Sequence, residues 1–184
     1  MFTEESLQDL FEVADLLSGG DWQIYRELRM IVFEDDSDII LDFLEEKLSE
    51  NDFKNLLGKF DQSQIGNAWW ILLYLLANRG YLCIVEPNLG ETEVWKRIGE
   101  LQSWNRISSL EEPKEASFPS EKSYSDWLTD LPHQLEKSDD VVARIAMEAD
   151  WYCIFICPKI TYLRLRTLAE NLGYIVQRME EGWG

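Results

Sequence analysis

The chain has 184 residues; 35 are Asp or Glu and 17 are Lys or Arg, for a formal net charge of −18. Hydrophobic residues make up 46%, with eight Trp, seven Tyr and eight Phe, so the acidity accompanies a full core and excludes a disordered acidic tail. A field of this sign repels nucleic acid and anionic membrane and steers basic partners inward, so a basic protein partner is expected.

The length suits a single domain, 1–184, divided into a helical part (1–80) and an α/β part (81–184). Met1-Phe2-Thr3-Glu4-Glu5 has neither the basic nor the apolar region of a signal peptide. The longest strongly apolar stretch, Ala68 to Ala77, is roughly half of what spans a bilayer. Three Cys, an odd number, fit a reducing compartment. The expectation is a soluble, cytoplasmic protein.

Leu7, Leu10, Phe11, Ala14 and Leu17 recur at helical spacing, with Thr3 as N-cap and Gly19-Gly20 as the stop. Asp21 caps a second helix bearing Trp22, Tyr25, Leu28 and Val32. Ser37 caps a third, with Ile40, Leu41, Leu44 and Leu48 inward and Asp38, Asp42, Glu45 and Glu46 mostly opposite. Phe53, Leu56, Leu57 and Phe60 make a short fourth. The segment from Gln64 to Asn78 is apolar on most sides and predicts a buried central helix.

Then the period changes. Tyr81-Leu82-Cys83-Ile84-Val85, ended by Pro87, reads as a buried strand. Glu91 to Leu101 returns to helix with Thr92 as cap, and Trp104 to Ile107 is a second strand candidate. Residues 108–123, rich in Ser, Glu, Pro and Lys, read as a long mobile loop. Short helices follow at Tyr124–Leu131 and Asp139–Glu148. Trp151 to Cys157 is the clearest strand. Ile160 to Leu172 then forms a helix closed by Gly173, and Tyr174 to Met179 a last strand. Strand, helix and strand make a βαβ unit, expected as a parallel pair. The fold class is α/β: a helical N-terminal part packed on a small mixed or parallel sheet, with a C-terminal βαβ unit. Leu76-Ala77-Asn78-Arg79-Gly80-Tyr81 is echoed by Leu168-Ala169-Glu170-Asn171-Leu172-Gly173-Tyr174, read as two ordinary helix-to-strand turns.

The apolar helix closing on Arg79-Gly80-Tyr81, the strand, Trp95, and later Trp151–Pro158 with Leu168-Ala169…Gly173-Tyr174 resemble a bacterial family of small acidic proteins known only as a domain of unknown function. The resemblance covers about 65–102 and 150–179 and leaves out the N-terminal helices and the middle loop. It implies an α/β fold and carries no activity.

Candidate chemistry is sparse. His133, the sole histidine, follows Pro132 beside a loop and reads as a surface residue. Cys153 and Cys157 lie on one strand face roughly 13 Å apart, too far to share a metal or a disulfide, and with Cys83 they read as core. Glu34-Asp35-Asp36-Ser37-Asp38 lacks the glycine and terminal Glu of a calcium loop. No phosphate loop or nucleophile elbow is present, and neither metal nor cofactor is expected.

Residues 1–60 carry 16 Asp/Glu against 5 Lys/Arg. The candidate partner surface is therefore Glu34, Asp35, Asp36, Asp38, Asp42, Glu45 and Glu46, with Trp104 and Trp127 as aromatic anchors. The functional expectation is a non-catalytic binding protein, such as an immunity-type inhibitor of a basic toxin or nuclease. The alternatives are a regulatory or structural protein-interaction domain and a carboxylate-dependent hydrolase.

Overall fold

The computed structural model describes residues 3–60, 64–86, 89, 91–104, 139–147 and 151–179, without the side chains of residues 64, 65, 91, 92 and 95. Five helices come first: α1 (Glu4–Ser18), α2 (Trp22–Phe33), α3 (Ser37–Lys47), α4 (Glu50–Leu57) and α5 (Gln64–Asn78). Strand β1 (Cys83–Val85) and helix α6 (Glu91–Gly99) follow, then β2 (Asp140–Ala146), β3 (Tyr152–Pro158), α7 (Lys159–Asn171) and β4 (Val176–Arg178).

The caps explain most of the helix boundaries. The Thr3 hydroxyl accepts from the Ser6 amide while Ser6 Oγ receives the Thr3 amide, a reciprocal box that fixes the start of α1. Asp21 Oδ1 accepts from the Gln23 amide at 2.8 Å and starts α2. The cap of α3 is Asp36, one residue before the expected Ser37. Ser49 caps α4.

The sheet order is β1-β3-β2-β4, and every pairing is antiparallel. This corrects two expectations. Asp139–Glu148 was expected to be helical, yet Asp140–Ala146 is strand β2, paired along its length with β3. The C-terminal unit runs β3, α7, β4, but the two strands do not pair. Each is antiparallel to β2, so they share a direction with β2 inserted between them.

Both faces of the sheet are covered. Along β3, Cys153, Phe155 and Cys157 alternate with Tyr152, Ile154 and Ile156, and all six are buried. The first set joins the large core made with α1, α2, α5 and α7. The second packs under α6 with Val94, Ile98, Leu101 and Trp104. A continuous apolar strand is therefore buried on both sides here without a parallel sheet. Helix α5 is central as expected, buried without a break from Ala68 to Leu76.

The sequence echo has a shared geometry. Gly80 (φ 72°) and Gly173 (φ 87°) both take the left-handed conformation. Tyr81 N donates to Leu76 O at 3.0 Å and Tyr174 N to Ala169 O at 2.8 Å, so each helix closes on the same five-residue return. Each turn feeds an edge strand, β1 or β4. Tyr174 also stacks on Trp69 with ring centroids 4.2 Å apart, tying the second turn to α5.

One polar network is built into the packing. Arg79, at the end of α5, reaches Glu27 Oε1 at 2.8 Å and Asp21 Oδ2 at 3.4 Å. Tyr81 donates its hydroxyl to Asp21 Oδ2 at 3.0 Å. Burial pushes the Asp21 carboxyl up, but the Gln23 amide, the Tyr81 hydroxyl and the Arg79 guanidinium outweigh it and hold the group below its usual range. Glu27 is 8% exposed, so Arg79 neutralises a carboxylate that would otherwise be buried alone.

Candidate functional site

The α2–α3 elbow presents the acids that sequence singles out. Asp35, Asp36, Asp38, Asp42, Glu45 and Glu46 are exposed, and Glu34 is half-buried. Asp38, Asp42, Glu45 and Glu46 recur at helical spacing, so α3 turns a continuous acidic face to solvent. Two of the carboxylates are also structural: Glu34 Oε1 accepts from the Asp36 amide at 3.1 Å, and Asp36 Oδ1 from the Asp38 amide at 3.0 Å. Local backbone bonding thus occupies one oxygen each of Glu34 and Asp36, two of the four carboxylates in the run compared with a calcium loop. Among the described residues, no group of three His, Cys, Asp or Glu side chains is close enough to hold a metal.

The acids frame apolar surface. A groove of about 260 Å³ opens between α2, α3 and α5, walled by Ile31, Val32, Ile40, Leu41, Phe60 and Ile71, with Glu34 and Ser37 also lining it. Phe33 and Ile39, neighbours of the groove residues in sequence, are 63% and 50% exposed. Helix α3 buries only Leu44; Ile40 packs partly buried against the core as expected while also lining the groove, and Leu41 is half-buried on the groove wall.

Sequence reasoning missed the outer face of α2. Trp22, Tyr25, Arg26, Arg29 and Phe33 are all exposed and follow helical spacing. Trp22 is 65% exposed and stacks on Tyr25 at 5.0 Å. Trp, Tyr and Arg on one face form the composition of interface hot spots. The signal was present in the spacing, since an inward set of Ile24, Glu27, Leu28 and Ile31 leaves these five outside.

The expected aromatic anchors fare differently. Trp104 is 8% exposed and belongs to the core beneath the sheet, so it is not a surface anchor. Its amide donates to Leu101 O in a turn, not in a strand, and residues 105–107 lie outside the described residues. Trp127, His133, the loop 108–123 and the helix expected at Tyr124–Leu131 also lie outside them.

Cys83, Cys153 and Cys157 are buried and free of disulfides. Burial pushes the Cys83 thiol up to about 12, and that of Cys153 well above its ordinary value, so neither is a nucleophile at neutral pH. No helix of the described residues is long and apolar enough to cross a membrane.

No curated protein and no solved structure matches the chain. A family model does, and it extends past the two segments of the resemblance to take in most of the N-terminal helices and the residues between the two segments. The chain belongs to the family described as Domain of unknown function (DUF6630), whose model matches residues 9–179.

Proposed function

We propose that the protein is a protein-binding module that receives a basic partner on the α2–α3 elbow. The observation that carries this is the joint exposure of Asp35, Asp38, Asp42, Glu45 and Glu46 around exposed Phe33 and Ile39 and an open apolar groove. Carboxylates set encounter rate and register, while apolar anchors hold the complex once formed. The arrangement fits a partner segment with Lys or Arg beside an apolar side chain that enters the groove. The aromatic and arginine face of α2 extends the same surface.

In its finer form the reading is an intracellular inhibitor of the immunity type, its acids opposing the cationic active site of a nuclease or toxin from a bacterial source. The three free, buried thiols support a reducing, cytoplasmic compartment.

The test is capture from the source cell with the wild-type chain and with Asp35→Lys/Asp38→Lys/Asp42→Lys in parallel, followed by reconstitution with the purified candidate. A partner of high isoelectric point that binds the wild type and not the variant supports the reading. A partner bound equally by both contradicts it.

A further inference from the structure

A second cavity, of about 490 Å³, lies where the end of α1 meets the start of α7 and the end of β3. Its chemistry is one-sided. Among the described residues, the only formally charged one in its wall is Asp15. Asp9 and Glu12, on the same helix, are engaged by α7 through Asn171 and Arg164, whereas Asp15 has no ion-pair partner among the described residues.

The end of α1 adds acceptors. A helix leaves its last four carbonyls without intrahelical partners. Asp15 O is taken by the amides of Gly19 and Gly20, and no backbone amide among the described residues reaches the carbonyls of Leu16, Leu17 or Ser18. These three residues line the cavity. The last turn of α1 holds no basic residue, so nothing in the helix offsets the negative end of its dipole.

Ser103 lines the same cavity. It is 6% exposed, and its hydroxyl has no hydrogen-bond partner among the described residues. Tyr81 and Gln102 are committed elsewhere, to Asp21 and to Arg79 O, and serve as fixed wall. Half-buried Tyr81 gives that wall an aromatic ring, whereas Phe155, also at the wall, is 1% exposed and keeps its side chain in the core.

We infer that this cavity binds a small organic ammonium compound, a primary amine bearing an apolar or aromatic group. An ammonium offers three donors and no acceptor, which matches a carboxylate and open carbonyls at one end. The Tyr81 ring, with half-buried Leu16 and Leu17, receives the rest of the ligand and favours a cation. The chain's field concentrates cations, so charge reinforces the fit. The start of α7 forms the opposite wall at Pro158 and Thr161, and its positive dipole end directs the ammonium toward α1.

The experiment is an amide-resolved NMR titration of the full chain with phenethylamine and, as the neutral counterpart, phenethyl alcohol. The expected result is saturable binding of the amine alone, with shifts centred on residues 15–20 and 102–103. Asp15→Asn should weaken it by about tenfold, the size of one charge-assisted hydrogen bond. Ser103→Ala should weaken it less. Asp35→Asn/Asp38→Asn/Asp42→Asn, which makes the net charge less negative without touching the cavity, should leave it within about twofold. Equal binding of amine and alcohol, unchanged affinity in Asp15→Asn, or shifts centred on α3 would each overturn the assignment. None of these results bears on the partner surface at the elbow.

Discussion

Helices α3 and α5 occupy the same half of the molecule and are built to opposite ends. Helix α5 buries every side chain from Ala68 to Leu76 and touches both the other helices and the sheet edge. Helix α3 buries Leu44 alone and turns four acids to water. Stability therefore resides in α5, and the α3 surface is free to be shaped by something other than folding. The difference teaches where a substitution reads out stability and where it reads out binding.

The sharpest way to break this contrast is at Trp69, which is fully buried and stacked on Tyr174. Trp69→Ala should cost about 4 kcal/mol in urea unfolding, through lost burial and a cavity. A loss under about 1 kcal/mol would show that α5 is not the core.

Next is Arg79→Ala, which strands Glu27 beside the core. Because the guanidinium is partly solvated, the loss should be about 2 kcal/mol. Glu27→Gln in the same background should recover part of it, a double-mutant coupling that unfolding midpoints can resolve.

The third expectation concerns pH. Asp21 is held below its usual value by the bonds described above, and Glu12 by its hydrogen bonds with Arg164 and that residue's charge. Both groups are depressed in the folded state. Their contribution is complete above the unfolded carboxylate range near pH ~4 and is lost as pH falls through the lower folded values. Unfolding measured from pH 6 downward should therefore steepen below about pH 4, and Asp21→Asn should flatten that limb. An unchanged acid limb in the variant would remove Asp21 from the account.

The smallest effect belongs to α3. Asp36→Ala removes the helix cap and should cost about 1 kcal/mol. Lysine at Asp35, Asp38, Asp42 or Glu45 should change stability by less than about 1 kcal/mol per site. Asp36 must stay in any charge-reversal test, since it has a structural duty that Asp35 lacks.

Much of this fold was readable from caps and period. Thr3 with Gly19-Gly20 bounded α1, Asp21 started α2, and the unbroken apolar run identified α5. Strand β2 was not readable because Val141-Val142-Ala143-Arg144-Ile145-Ala146 mixes helix formers with β-branched residues, and Arg144 interrupts the alternation. Arg144 is buried on the α6 side of the sheet, with Gln177 accepting its hydrogen bond at 3.1 Å, a pairing across 33 residues that no local pattern announces. The lost β3–β4 pair follows from the same miss, because an unseen strand cannot be placed between two others. Of the candidate site, the acids were legible as charge density. The groove was not, because its walls come from α2, α3 and α5 and exist only after packing. Trp104 misled because its neighbours are polar, while α6 and β3 enclose it.

The central claim is that the elbow recognises a basic partner. Its most direct test is the association rate of the purified partner at two salt concentrations, for the wild type and for Asp35→Lys/Asp38→Lys/Asp42→Lys/Glu45→Lys. The wild type should associate fast and slow down with salt. The variant should associate about tenfold or more slowly at low salt, with most of the salt dependence gone and folding retained. An on-rate unchanged by the four substitutions would contradict the account and move the interface to the Trp22–Arg29 face of α2.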